Sequence, residues 1–195
     1  MPTPVHLEWA GPYHWLSDRG PTIFNGHHAD AAGVYMWCLP FQRAHLVYYV
    51  GQTEAGFAKR HYDHFRAYTA GSYTIHRAAS FKGGILDPIY QTRAYAKEPW
   101  RRIQTFIDNF GELASELNEA LRSLVVFIAP LSQAQRVHRR LEAALIDVFY
   151  AADPPSYRFQ DAGMVAHRRR ADETPLAVTS SPTGLFHGLP DAFEA

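Results

Sequence analysis

Two short, nearly unbroken apolar runs lie close together, 33–39 (GVYMWCL) and 45–51 (HLVYYVG). Both are rich in β-branched and aromatic residues, and the segment between them, 40–44 (PFQRA), begins with proline. That pattern predicts two strands joined by a turn, a hairpin. Past Gly51 the period changes. Phe57, His61, His64, Phe65 and Tyr68 recur at helical spacing, with Thr53 placed to cap the helix, Glu54 to favour its N-terminus and Gly71 to stop it. Residues 72–100 carry Gly83-Gly84, Asp87-Pro88 and Pro99-Trp100 and read as irregular strands and loops. Residues 101–122 return to helical spacing through Ile103, Phe106, Ile107, Phe110, Leu113, Leu117 and Leu121, with Gly111 as the expected break.

The run 124–129 (LVVFIA), bounded by Pro130, has the continuous apolar character of a buried central strand. Ser132 and Gln135 match a capping box, and Val137, Leu141, Leu145 and Val148 follow down one helix face until Pro154-Pro155. Residues 1–32 are aromatic and punctuated by Gly and Pro without a clear period, and the tail from 156 is polar. The order is therefore strand, strand, helix, insertion, strand, helix. The fold class this predicts is α+β: a small central antiparallel three-stranded sheet flanked by helices. It occupies residues 33–160, with an insertion at about 72–122, an N-terminal extension over 1–32 and a C-terminal extension over 161–195.

Composition narrows the function classes. The 195 residues are 47% hydrophobic and 19% charged, which suits one compact domain with extensions and not a disordered chain. The single cysteine, Cys38, excludes an intrachain disulfide and every multi-cysteine zinc site. No apolar run approaches the roughly 18 residues of a membrane span. The N-terminus has neither the charged nor the apolar region of a signal peptide, so no membrane association and a cytoplasmic location are expected. Nineteen Lys and Arg balance nineteen Asp and Glu, which argues against a protein that coats nucleic acid indiscriminately. The balance is uneven along the chain. Residues 57–102 hold nine bases (Lys59, Arg60, Arg66, Arg77, Lys82, Arg93, Lys97, Arg101, Arg102) against three acids (Asp63, Asp87, Glu98), a net +6. Sixteen of the nineteen bases are Arg, whose planar fork suits phosphate.

Five residues sit at telling places on the predicted scaffold. The first strand carries Gly33-Val34-Tyr35 and the second Tyr49-Val50-Gly51. The following helix carries Arg60 and, four residues on and so on the same face, His64. The last helix carries Glu142 in RRLEAALI. In this arrangement the chain resembles the GIY-YIG nuclease family over roughly residues 33–150, with GVY and YVG standing for the two tripeptides that name it. The resemblance implies a nuclease domain in which Tyr35 acts as general base, Arg60 clamps the phosphate and Glu142 holds one Mg²⁺, with Mn²⁺ able to substitute. The family also places an Asn after the Glu helix. Here the asparagines are Asn25, Asn109 and Asn118, all before Glu142, so that position is unassigned, with Gln160 or Asp161 as substitutes.

These residue types suit phosphodiester hydrolysis on physical grounds. The reaction needs an activated water, an electrophilic clamp and help for the leaving oxygen. One carboxylate, Glu142, can hold an Mg²⁺ that keeps most of its waters. Arg60 can fork onto a non-bridging oxygen. An ordinary Tyr titrates near 10, so Tyr35 needs support, for which His64, Tyr49 and Lys59 are candidates. Tyr49 can otherwise hydrogen-bond the attacking water or the phosphate. Each residue also has a bland reading: a strand tyrosine packs, a helix Arg is solvated, Glu142 pairs with His138 or Arg139, and a lone His is structural. The joint occurrence favours the chemical reading. Eleven histidines, His27-His28 and His61/His64 among them, raise a zinc site, but two ligands do not close one.

The expected activity is therefore metal-dependent endonucleolytic hydrolysis of DNA, duplex or branched. Lys59, Arg77, Lys82, Arg93, Arg101, Arg102 and Arg139 are the candidate nucleic-acid contacts, interleaved in 72–102 with Tyr73, Tyr90, Tyr95 and Trp100. An insertion that merely packs on the domain is the competing reading of that stretch. A nucleic-acid-binding adaptor without cleavage is the alternative function. One active site cuts one strand at a time, so double-strand cleavage would call on a homodimer or on two successive events.

Overall fold

The computed structural model describes residues 1–91, 102–152, 165–182 and 184–195. It is an α+β structure built on a four-stranded antiparallel sheet. The predicted hairpin is β3 (Gly33–Phe41) and β4 (Ala44–Thr53). Their register runs from Gly33 opposite Thr53 to Phe41 opposite Ala44, so Pro40 lies within the strand and the turn is only Gln42-Arg43. The apolar run after the insertion is β7 (Val125–Pro130), which pairs with the other side of β3.

The three-stranded expectation is corrected by one strand. β2 (Ala10–His14), from the N-terminal arm, pairs with the outer edge of β7, giving the order β2-β7-β3-β4. An open β7 edge would leave unpaired backbone groups, and β2 satisfies them. Its sequence, AGPYH, has no alternation to announce it.

Each face of the sheet has its own core. Val34, Met36, Cys38, Val47, Val50, Phe127 and Ala129 pack against helix α5 (Gln135–Ala151) and a second sheet. That second sheet joins both extensions: β1 (Thr3–Glu8) runs parallel to β8 (Leu176–Ser181), and β9 (Ala192–Glu194) adds on antiparallel. Tyr35, Trp37, Leu39, Leu46, Tyr48, Val126 and Ile128 pack on the opposite face, against helix α1 (Phe57–Thr69) and the insertion. The insertion comprises β5 (Ile75–His76), α2 (Ala78–Lys82), β6 (Pro88–Tyr90), α3 (Ile103–Asp108) and α4 (Phe110–Ser123).

A slip in the β3–β4 register sets up the site. Trp37 faces Tyr49 and Cys38 faces Val47, so Tyr48 is the extra residue of a bulge. Strict alternation would send Tyr48 and Tyr49 to opposite faces. With the bulge, both join the aromatic face that holds Tyr35.

Three helix boundaries depart from the sequence reading. Thr53 is still in β4, and Gly56 stands at the α1 N-cap position. The Thr53 hydroxyl accepts from Ala55 N–H at 3.1 Å and donates to the Gly56 carbonyl at 3.2 Å, bracing the turn that leads into the helix. α5 begins at Gln135 behind Ala134 without a side-chain cap, so the Ser132–Gln135 box does not form. The break between α3 and α4 falls at Asn109 and not at Gly111. Among the described residues no helix is long and apolar enough to cross a membrane.

Candidate active site

The two tripeptide glycines have physical reasons to be glycine. A Cβ on Gly33 would lie 2.2 Å from the Ala129 carbonyl oxygen, at a φ of +149°. A Cβ on Gly51 would lie 2.4 Å from both Cζ and the hydroxyl of Tyr35. Gly51 thus lets the Tyr35 ring lie across β4, the outer strand of the sheet.

The Tyr35 hydroxyl is the hub of a buried network. It lies 2.6 Å from His64 Nε2 and accepts from Arg60 Nε–H at 3.3 Å. The Tyr49 hydroxyl bonds to it as well. A 2.6 Å contact has the length of an O–H donor, so Tyr35 donates to His64 Nε2. His64 then carries its proton on Nδ1 and donates to the Tyr73 hydroxyl at 3.2 Å. Tyr49, in turn, donates to Tyr35, whose two lone pairs serve Tyr49 and Arg60. The chain of bonds runs Tyr49, Tyr35, His64, Tyr73. Its ends, Tyr49 and Tyr73, are half-buried, while Tyr35 is 0% exposed and His64 2%.

A second histidine supports the first. His61 Nε2 accepts from the Trp37 indole N–H at 2.9 Å, and its Nδ1–H donates to the Phe57 carbonyl at 2.7 Å. The indole can only donate, so this tautomer is fixed. Trp37 packs on Tyr49 with ring centroids 4.8 Å apart and edge-on to His64 at 4.7 Å.

Burial keeps these groups neutral. It lowers the pKa of His61 to about 3 and that of His64 to about 2, and neighbouring Arg60 pushes both the same way. Burial also drives the Tyr35 phenol well above its ordinary value; Arg60 opposes that shift and the Glu142 charge adds to it. Burial works against the Arg60 charge, yet its pKa is held up beside the Tyr35 hydroxyl to which it donates. The site at rest is one fixed cation among neutral phenols and imidazoles.

Glu142 comes from α5 and is 5% exposed. Its Oε2 accepts from His167 Nδ1–H at 3.0 Å. The histidine of α5 itself, His138, is fully buried, with Nδ1 2.5 Å from Glu54 Oε1. Among the described residues no group of three His, Cys, Asp or Glu could form a closed metal cage. A zinc site at His61/His64 is excluded by the bonds their nitrogens already make. A single buried carboxylate fits a hard ion that keeps its water shell.

Tyr35, Tyr49, Arg60 and His64 thus meet in one network, with Glu142 acting on it electrostatically. The expected nucleic-acid contacts do not gather the same way. Lys59 pairs with Asp63 at 2.9 Å, Arg77 with Asp87 at 3.2 Å and Glu116 at 3.8 Å, and Lys82 with Glu119 at 2.8 Å. Arg102 donates to the Gln91 carbonyl, and the Arg139 Nε is buried without a partner. Arg93, Arg101, Gln160 and Asp161 lie outside the described residues. In the described part of the insertion Arg77 and Lys82 pair with its own acids, Arg122 pairs with Asp18 of the N-terminal arm at 2.5 Å, and Phe106, Leu113, Leu117 and Leu121 pack inward, as in a packing element.

Sequence reasoning missed His167 and the supporting role of His61, and it read Tyr73 as an aromatic beside the nucleic-acid contacts and not as the partner of His64. The three-residue spacing of His61 and His64 was a usable signal for the role of His61. Tyr73 and His167 reach the site only through tertiary folding. No family model, curated protein or solved structure matches this chain.

Proposed function

We propose that this chain is a metal-dependent endonuclease of the GIY-YIG type that hydrolyses DNA phosphodiester bonds. The observation that carries the reading is the Tyr35 hydroxyl held between His64 Nε2, Arg60 and Tyr49, on the hairpin that also brings Gly33 and Gly51 into place. An Mg²⁺ or Mn²⁺ held by Glu142, when bound, neutralises phosphate charge and assists the leaving oxygen.

The protein's own residues do the rest. Arg60 is charged, partly accessible and fixed beside the phenols, so it forks onto a non-bridging phosphate oxygen as charge develops there. Tyr49, at the accessible end of the network, accepts the proton of the attacking water. Its own proton passes to Tyr35, and that of Tyr35 to His64 Nε2. The water's O–H bond breaks as its oxygen bonds phosphorus, and His64 gives up its Nδ1 proton to Tyr73 as it gains one at Nε2, the Tyr73 proton leaving to solvent at that half-buried end, so no charge rests on an imidazole whose pKa is about 2. No free phenolate forms, which suits a Tyr35 whose pKa is raised. General-base assistance of this kind contributes about 10²–10⁴-fold. Tyr35 therefore acts as the middle of a relay, and Tyr49 is the group that meets the water.

An adaptor that binds nucleic acid without cutting is the second reading, favoured by the 0% exposure of Tyr35. Cleavage of supercoiled plasmid, with and without Mg²⁺ or Mn²⁺, separates the two. Metal-dependent nicking by the parent and none by Glu142→Ala is the expected result. Equal cutting by both proteins would sink the metal assignment. Salt-sensitive binding without cutting in either metal would favour the adaptor.

A further inference from the structure

We propose that His167 is the positioning residue for Glu142, so that the C-terminal extension completes the active site. This rests on the reading of Glu142 as the metal-holding carboxylate.

The geometry is specific. His167 donates Nδ1–H to Glu142 Oε2 at 3.0 Å, and both side chains are largely buried, 23% and 7% exposed. A carboxylate that must hold an ion in one orientation needs a partner for the oxygen that would otherwise rotate, and such partners tune the ligand. His167 supplies a directional donor of this kind from 25 residues downstream.

The contact is built. Helix α5, which carries Glu142, also clamps the segment around His167. Arg136 grips Glu173 with both Nε and Nη2, each at 2.6 Å. The same guanidinium donates to the carbonyls of His167 at 3.0 Å and Arg168 at 2.7 Å. Arg168 returns a two-pronged pair to Asp147, at 2.9 and 2.6 Å, and Arg140 donates to the Thr174 carbonyl at 2.8 Å. A two-pronged Arg–carboxylate pair fixes orientation as well as distance. Two such pairs hold the chain just after His167, one at Arg168 and one at Glu173. The imidazole is therefore delivered to Glu142 by the same helix it acts upon.

Mn²⁺ binding by the full chain, without DNA, tests this through titration calorimetry or the loss of the free-ion electron paramagnetic resonance signal. The proteins are the parent, Glu142→Ala, His167→Ala and His167→Asn. The Asn side chain places an N–H close to where Nδ1 stands. The parent should bind one Mn²⁺ in a Glu142-dependent manner. His167→Ala should bind about 10–100-fold more weakly, as loss of a supporting partner does, and His167→Asn should recover most of that. Thermal unfolding of metal-free His167→Ala should stay near the parent's, separating a positioning effect from loss of fold. Parental Mn²⁺ affinity in a folded His167→Ala would overturn this proposal and leave the nuclease reading standing. Absence of Glu142-dependent binding in the parent would overturn both. Weak binding by His167→Ala with no recovery in His167→Asn would assign the effect to packing and overturn the directional donor.

Discussion

Acid should unfold this protein through two histidines, and the size of the effect follows from where they sit. His61 and His64 are buried and neutral, with pKa values lowered from 6.5 to about 3 and about 2. In the unfolded chain both titrate near 6.5. Below that pH the unfolded chain takes up protons that the folded one refuses. The stability contributed by holding them neutral is complete above about pH 6.5, and it is lost progressively down to about pH 3 for His61 and about pH 2 for His64. Each costs about 1.4 kcal/mol per pH unit in that window. At about pH 5 the pair should therefore remove roughly 4 kcal/mol relative to about pH 8. A domain of this size has only about 5–15 kcal/mol in total. Urea unfolding followed by tryptophan fluorescence at the two pH values measures the loss. The comparison is a His61→Gln/His64→Gln double variant, since Gln offers a donor and an acceptor without a proton equilibrium. His14, His45 and His76 are also held below 6.5, chiefly by burial, and act in the same direction. They are common to both proteins, so the difference isolates the pair. If the double variant lost as much stability as the parent, the assignment of the acid sensitivity to these two side chains would be wrong.

Two further outcomes follow from the site. Gly51→Ala would drive a methyl into the Tyr35 ring, so it should cost about 1–3 kcal/mol by overpacking and suppress plasmid cleavage as the relay is displaced. Parental stability and cutting would show that Tyr35 does not lie across β4. Tyr73→Phe removes the acceptor for His64 Nδ1–H; it should cost about 1 kcal/mol of stability and slow cleavage about tenfold. An unchanged rate in single-turnover assays would show that His64 works without a partner at Nδ1.

Much of this arrangement can be read from the sequence, for identifiable reasons. The hairpin, α1, β7 and α5 each carry a local signal, an apolar run or a helical period, and each forms close to its expected place. Tyr35, Tyr49, Arg60 and His64 were legible as a set because a hairpin and the helix after it fix their relative positions within thirty residues. The fourth strand was not legible, because β2 is recruited by an edge that exists only once β7 has folded. The bulge at Tyr48 was hidden, since an extra residue in a strand leaves no mark in an unbroken apolar run. The charge excess of 57–102 is partly offset from outside that window: besides Asp63 and Asp87 within it, Glu116 and Glu119 on α4 pair with Arg77 and Lys82.

The parallel pairing of β1 with β8 has a consequence for how the molecule is made. Thr3 lies opposite Leu176, and Glu8 opposite Ser181. During synthesis β1 emerges carrying Val5 and Leu7, which end up buried, and its partner follows about 170 residues later. Pairings that distant must close a long loop before any contact rewards them. The hairpin, α1 and β7 can assemble meanwhile from neighbours in sequence. β1 cannot, and it stays without its sheet partner until β8 follows. The layer that closes over α5 is the last to form, and it arrives together with the segment that brings His167 to Glu142. The surroundings of Glu142 are thereby tied to the arrival of β8 and β9, about 170 residues after β1.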